Sequence, residues 1–229
     1  MRKMKRNVIR IPRSRQRGFS LLELLIAVVI LTFVIAVVVR GVTELQKSNS
    51  SQAVNIDLTQ ESRQFMDQVV EDLHQAGYPP PTMFDAATAA ASPNSVANGL
   101  IEIHTNWIQY EGDVDGTGVS EIFVQLSPAG GPCPCTLRRG ALSKVSYSGG
   151  SAPTYYTEVD GVMNLNVFTA YDKAGNTVAL PCTAGVCADG TAIQNVKDIG
   201  LLLNVRSAQV NPVNQNYSFI TVSTEAKVN

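Results

Sequence analysis

The side chains able to do chemistry are few, and their spacing narrows what that chemistry could be. His74 and His104 are the only histidines, and neither sits in a nucleophile, metal or acid–base constellation. No glycine-rich phosphate loop occurs, so the expectation is a protein that is not an enzyme. Four cysteines form two close pairs, Cys133/Cys135 and Cys182/Cys187. In an oxidising compartment disulfides are the default, with three connectivities allowed. A Cys182–Cys187 loop closes easily, whereas Cys133 with Cys135 makes a small ring, so pairing across the two loops stays open. A zinc site is the competing idea, but neither spacing is C-x2-C. Asp113-Val114-Asp115-Gly116-Thr117-Gly118 puts two carboxylates on a tight turn, as calcium loops do. The distal glutamate of such a loop is missing at the usual spacing, so Glu111 or Glu121 would have to substitute. An ordinary Asp/Gly hairpin turn is the favoured alternative, and no other cofactor is expected.

A fifth carboxylate is more telling. Residues 19–39 (FSLLELLIAVVILTFVIAVVV) are almost wholly apolar and carry one charge, Glu23. As a helix they span roughly 31 Å, enough for a bilayer core and too long for a secretory signal's apolar region. A carboxylate at the centre of such a span costs about 2.5–3.5 kcal/mol, and somewhat less near its end. A plain anchor gains nothing from that cost. If the chain is cut after Gly18, however, Phe19 acquires a cationic amine, and Glu23 lies one helical turn away. The carboxylate can then neutralise that amine or the amine of a chain docking alongside, fixing axial register.

Charge supports an orientation. Eight of the 18 basic residues precede Gly18 and none of the 19 acidic ones does, so ten basic residues face 19 acidic ones afterwards, a net charge of about −9. A basic arm before an apolar span reads as the signal that keeps an N-terminus cytoplasmic. The acidic remainder argues against a head that grips nucleic-acid phosphates.

Arg17-Gly18-Phe19-Ser20-Leu21-Leu22-Glu23-Leu24-Leu25 resembles the processing signal of type IV pilins and type II secretion pseudopilins. The resemblance implies cleavage between Gly18 and Phe19 by a prepilin peptidase, N-methylation of Phe19, and assembly with other major and minor pilin-like subunits. It further implies a single-pass inner-membrane protein, N-terminus cytoplasmic and head periplasmic, that later enters a filament.

The elements that position these residues follow. No proline interrupts residues 19–76, and Leu58, Phe65, Met66, Val69, Leu73 and Ala76 recur at helical spacing. Ala76-Gly77-Tyr78-Pro79 is a stop signal. Gly41 and the polar residues 48–51 allow either a hinge or a continuous helix of poorer formers. Beyond a proline- and alanine-rich linker, alternating runs predict strands at 101–103, 107–110, 122–126, 165–171, 199–205 and 217–224. The expected fold is α+β: a long N-terminal helix whose second half packs on an antiparallel β-sheet head. The parts are a leader at 1–18, a membrane or filament-core helix at 19–40, an amphipathic helix at 41–77 and a head at 78–229.

Residues 57–80 (DLTQESRQFMDQVVEDLHQAGYPP) are similar to minor pilins of the PilW group and to J-type minor pseudopilins, with His74-Gln75 in place of a basic pair. Thr136-Leu137-Arg138-Arg139, Val159-Asp160-Gly161-Val162 and Ala170-Tyr171-Asp172-Lys173-Ala174-Gly175 follow in the same order. Two functions are therefore expected to compete. One is a minor pilin or pseudopilin that assembles; the other is a monomeric membrane-anchored adhesive or binding module.

Overall fold

The structure is a computed structural model that describes residues 19–228. The chain divides into two units, Met1–Gln46 and Lys47–Asn229. Helix α1 is Leu21–Gln75, continuous through Gly41 and residues 48–51. Of the two readings open at Gly41, the unbroken helix holds.

In the second unit the helix turns one-sided. Leu58, Phe65, Met66, Val69, Leu73 and Ala76 are all buried and belong to one core, as the spacing predicts. Gly77 ends the helix in the left-handed region at φ +82°, where a Cβ would be strained. Its amide then donates to the Glu111 carbonyl at 2.8 Å. Gly112 lies against this helix end, and a Cβ there would meet the Gln75 carbonyl oxygen at 2.7 Å. Only glycine allows that approach.

Two short helices, α2 (Ala86–Ala91) and α3 (Lys144–Ser148), accompany eleven strands among the described residues. These are β1 (Leu100–Ile103), β2 (Trp107–Gly112), β3 (Ser120–Ser127), β4 (Cys135–Ser143), β5 (Thr154–Val162), β6 (Phe168–Asp172), β7 (Thr177–Val178), β8 (Cys182–Thr183), β9 (Val186–Cys187), β10 (Val196–Val210) and β11 (Tyr217–Lys227). All pairings are antiparallel, in the order β7-β6-β10-β5-β4-β3-β2-β1-β8-β9, with β11 on β10. The strands near the two ends of this path, β7 and β8, are joined by residues 179–181 alone. The amides of Val167 and Phe168 both donate to the Thr105 carbonyl, at 2.6 and 2.9 Å. The sheet therefore curls back toward itself, and the apolar stripe of α1 fills its concave side.

Strands β4 and β5 were not legible in the alternation. Arg139 breaks the pattern because it points inward: its Nε and Nη2 donate to Asp72 Oδ2 at 2.9 and 2.7 Å. The Tyr110 hydroxyl donates to the same oxygen at 3.0 Å, and burial, then the nearby Asp72 charge, pushes that hydroxyl's pKa well up. One carboxylate of α1 thus holds β2 and β4 to the helix. Conversely, Leu165 is exposed, and β6 begins only at Phe168.

Removing one partner of a buried ion pair leaves the other uncompensated. Asp72→Ala is expected to lower the unfolding free energy of the full chain in detergent by about 3–5 kcal/mol. Urea denaturation followed by tryptophan fluorescence checks this; a loss under about 1 kcal/mol would mean that the pair does not hold the helix.

Candidate functional site

Within the head, each carboxylate singled out for calcium already has partners. Asp113 Oδ1 accepts from the Gly118 amide at 3.0 Å. Asp115 Oδ1 accepts from the Thr117 amide and hydroxyl at 2.9 and 2.6 Å, and the hydroxyl bond is the main cause of its lowered pKa. These are bonds that a turn makes to close itself. The two glutamates that would complete a loop are engaged elsewhere. Among the described residues no group of three or more histidine, cysteine or acidic side chains could hold a metal ion. The cysteines pair locally, as Cys133–Cys135 and Cys182–Cys187, so the cross-paired alternatives do not apply. Cys182 and Cys187 face each other across the β8–β9 ladder. His104 stacks on Trp107 with ring centroids 4.4 Å apart.

A buried polar cluster escaped the sequence reading. Glu111 and Glu121 stand directly opposite on β2 and β3 and are 3% and 4% exposed. Glu111 Oε2 accepts from Lys144 Nζ at 2.7 Å and from the Asn98 amide at 2.7 Å. Lys144 Nζ also donates to the Val96 carbonyl at 2.8 Å. The cluster therefore ties α3 and the end of the linker to the outer face of the sheet. Glu121 Oε2 accepts from Gln109 Nε2 at 2.9 Å. Burial first, and then a hydrogen bond shared with Glu111, raise the Glu121 pKa to about 7. The two glutamates lie five residues to either side of Gly116, and the pairing of Gly112 with Ser120 brings them opposite one another.

The N-terminal segment offers a different chemistry. Phe19 and Ser20 precede α1, and the Ser20 carbonyl accepts from the amides of Glu23 and Leu24 at 2.9 and 3.1 Å. Glu23 falls in the first helical turn, where a carboxylate meets the positive end of the helix dipole. Phe19 is 79% exposed, and the large apolar side chains of residues 21–39 are exposed on every face of the helix. The helix is long and apolar enough to cross a membrane, and none of its most apolar stretch is buried. Thr32, the hydroxyl within that stretch, donates to the Val29 carbonyl at 2.8 Å, which removes an unsatisfied polar group from an apolar setting. Gly18 and the basic leader lie outside the described residues.

Residues 13–39 match the family model for the prokaryotic N-terminal methylation motif. The match brackets Gly18, Phe19, Glu23 and the apolar stretch. No curated protein matches the chain, and no solved structure does.

Two outcomes follow for the head. Folded Glu121 holds its proton up to about pH 7, whereas an unfolded glutamate releases it near 4.5. Its contribution to stability is therefore full below about pH 4.5 and is lost as pH rises through about 7. Glu121→Gln is expected to stabilise the protein by about 1–3 kcal/mol at pH 8 and to change little at pH 4.5, read from denaturation curves at both values. An equal effect at both would separate Glu121 from the decline. Millimolar calcium is expected to leave the melting temperature within about 1 °C, because the Asp113 and Asp115 carboxylates already close their own turn. A calcium-dependent rise abolished by Asp113→Ala would restore the ion site.

Proposed function

We propose that the chain is a minor pilin of the PilW type, acting in the initiation or tip complex of a type IV pilus. The N-terminal methylation motif marks a type IV pilin- or pseudopilin-like structural precursor rather than a known enzyme family, and it implies processing by a prepilin peptidase and assembly with pilin-like subunits. The observation that carries the reading is the union of that motif with an apolar helix whose every face is uncovered. A solitary anchor needs lipid around it; a filament subunit exchanges lipid for the equivalent helices of its neighbours. The membrane serves as a reservoir, and the helix moves from it into a bundle.

Glu23 gives that transfer its register. In lipid, the carboxylate sits at the span's cytoplasmic end, beside the amine that cleavage creates on Phe19. In the bundle, the same carboxylate meets the amine of an incoming chain, because only a charged partner compensates its desolvation. The acidic head, unsuited to nucleic-acid backbones, supplies contacts to neighbouring minor subunits.

Intact-mass analysis of the assembled protein is expected to find a chain beginning at Phe19 with one added methyl group. Retention of residues 1–18 in the working assembly would remove the basis of the proposal. Glu23→Ala is expected to be inserted and cleaved normally while its incorporation into sheared filaments falls about tenfold or more, as the loss of about 1.4 kcal/mol or more of docking free energy requires. Undiminished incorporation would take Glu23 out of the mechanism.

A further inference from the structure

The two disulfides are built into the head in different ways. Cys182 and Cys187 are 0% and 5% exposed and lie opposite each other across the β8–β9 ladder, and Cys182 pairs in turn with Ile103 of β1. That bond is enclosed by the core it joins. Cys133–Cys135 instead lies where the β3–β4 connection, residues 128–134 (PAGGPCP), runs into β4. The connection has no regular structure, and its Pro128, Ala129, Gly130, Pro132 and Pro134 are exposed. Within the pair, Cys135 is 1% exposed while Cys133 is only half-buried. The pair thus offers one cysteine to a reagent in water and shields the other.

The β3–β4 hairpin is closed without this bond. Its ladder runs continuously from Ser120↔Ser143 to Ser127↔Thr136, and Asn106 Nδ2 holds the connection through the Ala129 carbonyl at 2.6 Å. A ring with one intervening residue also removes little freedom from the unfolded chain. A bond that restrains so little, at a position a thiolate reaches, belongs with exchangeable disulfides rather than structural ones. The reduced form has a place in the same fold. The Pro128 carbonyl lies 3.9 Å from Cys135 Sγ and accepts from its thiol once the bond opens.

We propose that Cys133–Cys135 is a thiol–disulfide exchange site, opened by a dithiol while Cys182–Cys187 stays closed. A thiolate of the dithiol attacks Cys133 Sγ; a sulfur–sulfur bond forms between them and the Cys133–Cys135 bond breaks. Cys135 leaves as a thiolate and takes a proton from water. The second thiol of the dithiol, as thiolate, then attacks its own sulfur in the mixed disulfide and releases Cys133, which is protonated in turn. The protein pair gains two electrons and the dithiol becomes a disulfide. Attack falls on Cys133 because Cys135 is buried. Opening loosens one wall of the groove that Pro134, Cys135 and Thr136 form with Leu58, Glu61 and Asp160, so the redox state sets the shape of that groove. The site lies within the head and does not depend on the function proposed above.

Limiting dithiothreitol acting on the full chain in detergent tests the site, with samples quenched in acid, alkylated in denaturant and mapped by mass spectrometry. Cys133–Cys135 is expected to open at least about tenfold faster than Cys182–Cys187. The β3–β4 amides of the opened form are expected to keep their hydrogen-exchange protection. Two variants test the point of attack. The thiol that Cys135→Ser leaves at Cys133 is expected to react with dithiodipyridine at least about tenfold faster than the thiol that Cys133→Ser leaves at Cys135. Equal opening of the two pairs, or earlier opening of Cys182–Cys187, would overturn the exchange site. Loss of the β3–β4 protection on opening would make the bond a structural one and overturn it as well. Equal or faster reaction at Cys135 would overturn the assigned direction of attack.

Discussion

The burial demand on α1 changes along a single helix, and most of the architecture answers that change. Over residues 21–39 apolar side chains point in every direction, so no sheet, which covers one face only, could satisfy them. From Leu58 onward the apolar residues retreat to one stripe, and a curled antiparallel sheet covers that stripe alone. The polar faces left over, with Arg63, Gln64, Asp67 and Glu71, remain in water. Length alone does not dictate this division. The periodicity does, by asking for a surrounding apolar medium at one end and for a single packed partner at the other.

Hydrophobic burial is non-directional, so a helix lying on a sheet could slide or rotate at little cost. Two polar devices prevent this. On the concave side, Asp72 takes three hydrogen bonds, from Arg139 and Tyr110, and only one axial position of α1 places its carboxylate between β2 and β4. On the convex side, Glu111 and Lys144 fasten α3 and the linker to the sheet. The two sites sit back to back: neighbours Tyr110 and Glu111 on β2 point to opposite faces, as strand geometry requires. The second device carries a conflict that the first does not, since Glu121, buried and beside Glu111, has its pKa raised to about 7.

What the sequence made legible follows the same physics. The stripe of α1, the stop at Gly77, the turn at residues 113–118 and strands near β1, β2, β3, β6, β10 and β11 are local signals, and they were readable. Strand β4 was hidden because an inward arginine imitates an exposed one until its partner, 67 residues away, is known, and β5 because its register against β4 shifts, which breaks the alternation. The local disulfides were not decidable from spacing, because three connectivities fit and only the pairing of β8 with β9 brings Cys182 opposite Cys187. At the N-terminus the legibility was greater, since Gly18, Phe19 and Glu23 form a contiguous motif that needs no tertiary contact to be recognised.

Two kinds of exposure stand out among the described residues: apolar side chains around residues 21–39, and backbone groups along the outer edge of β11. They differ in selectivity. Apolar surface is covered equally well by lipid or by any similar helix, so it favours transfer between the two without choosing a neighbour. Backbone groups at a strand edge are satisfied only by an aligned strand, and a slip of one residue reverses every side chain. In the proposed filament, the Glu23 carboxylate would add a third, short-ranged demand on axial position. Under that proposal a subunit is held loosely in a membrane and rigidly in an assembly, because the unselective contact is available in both settings and the selective ones are available only in the second.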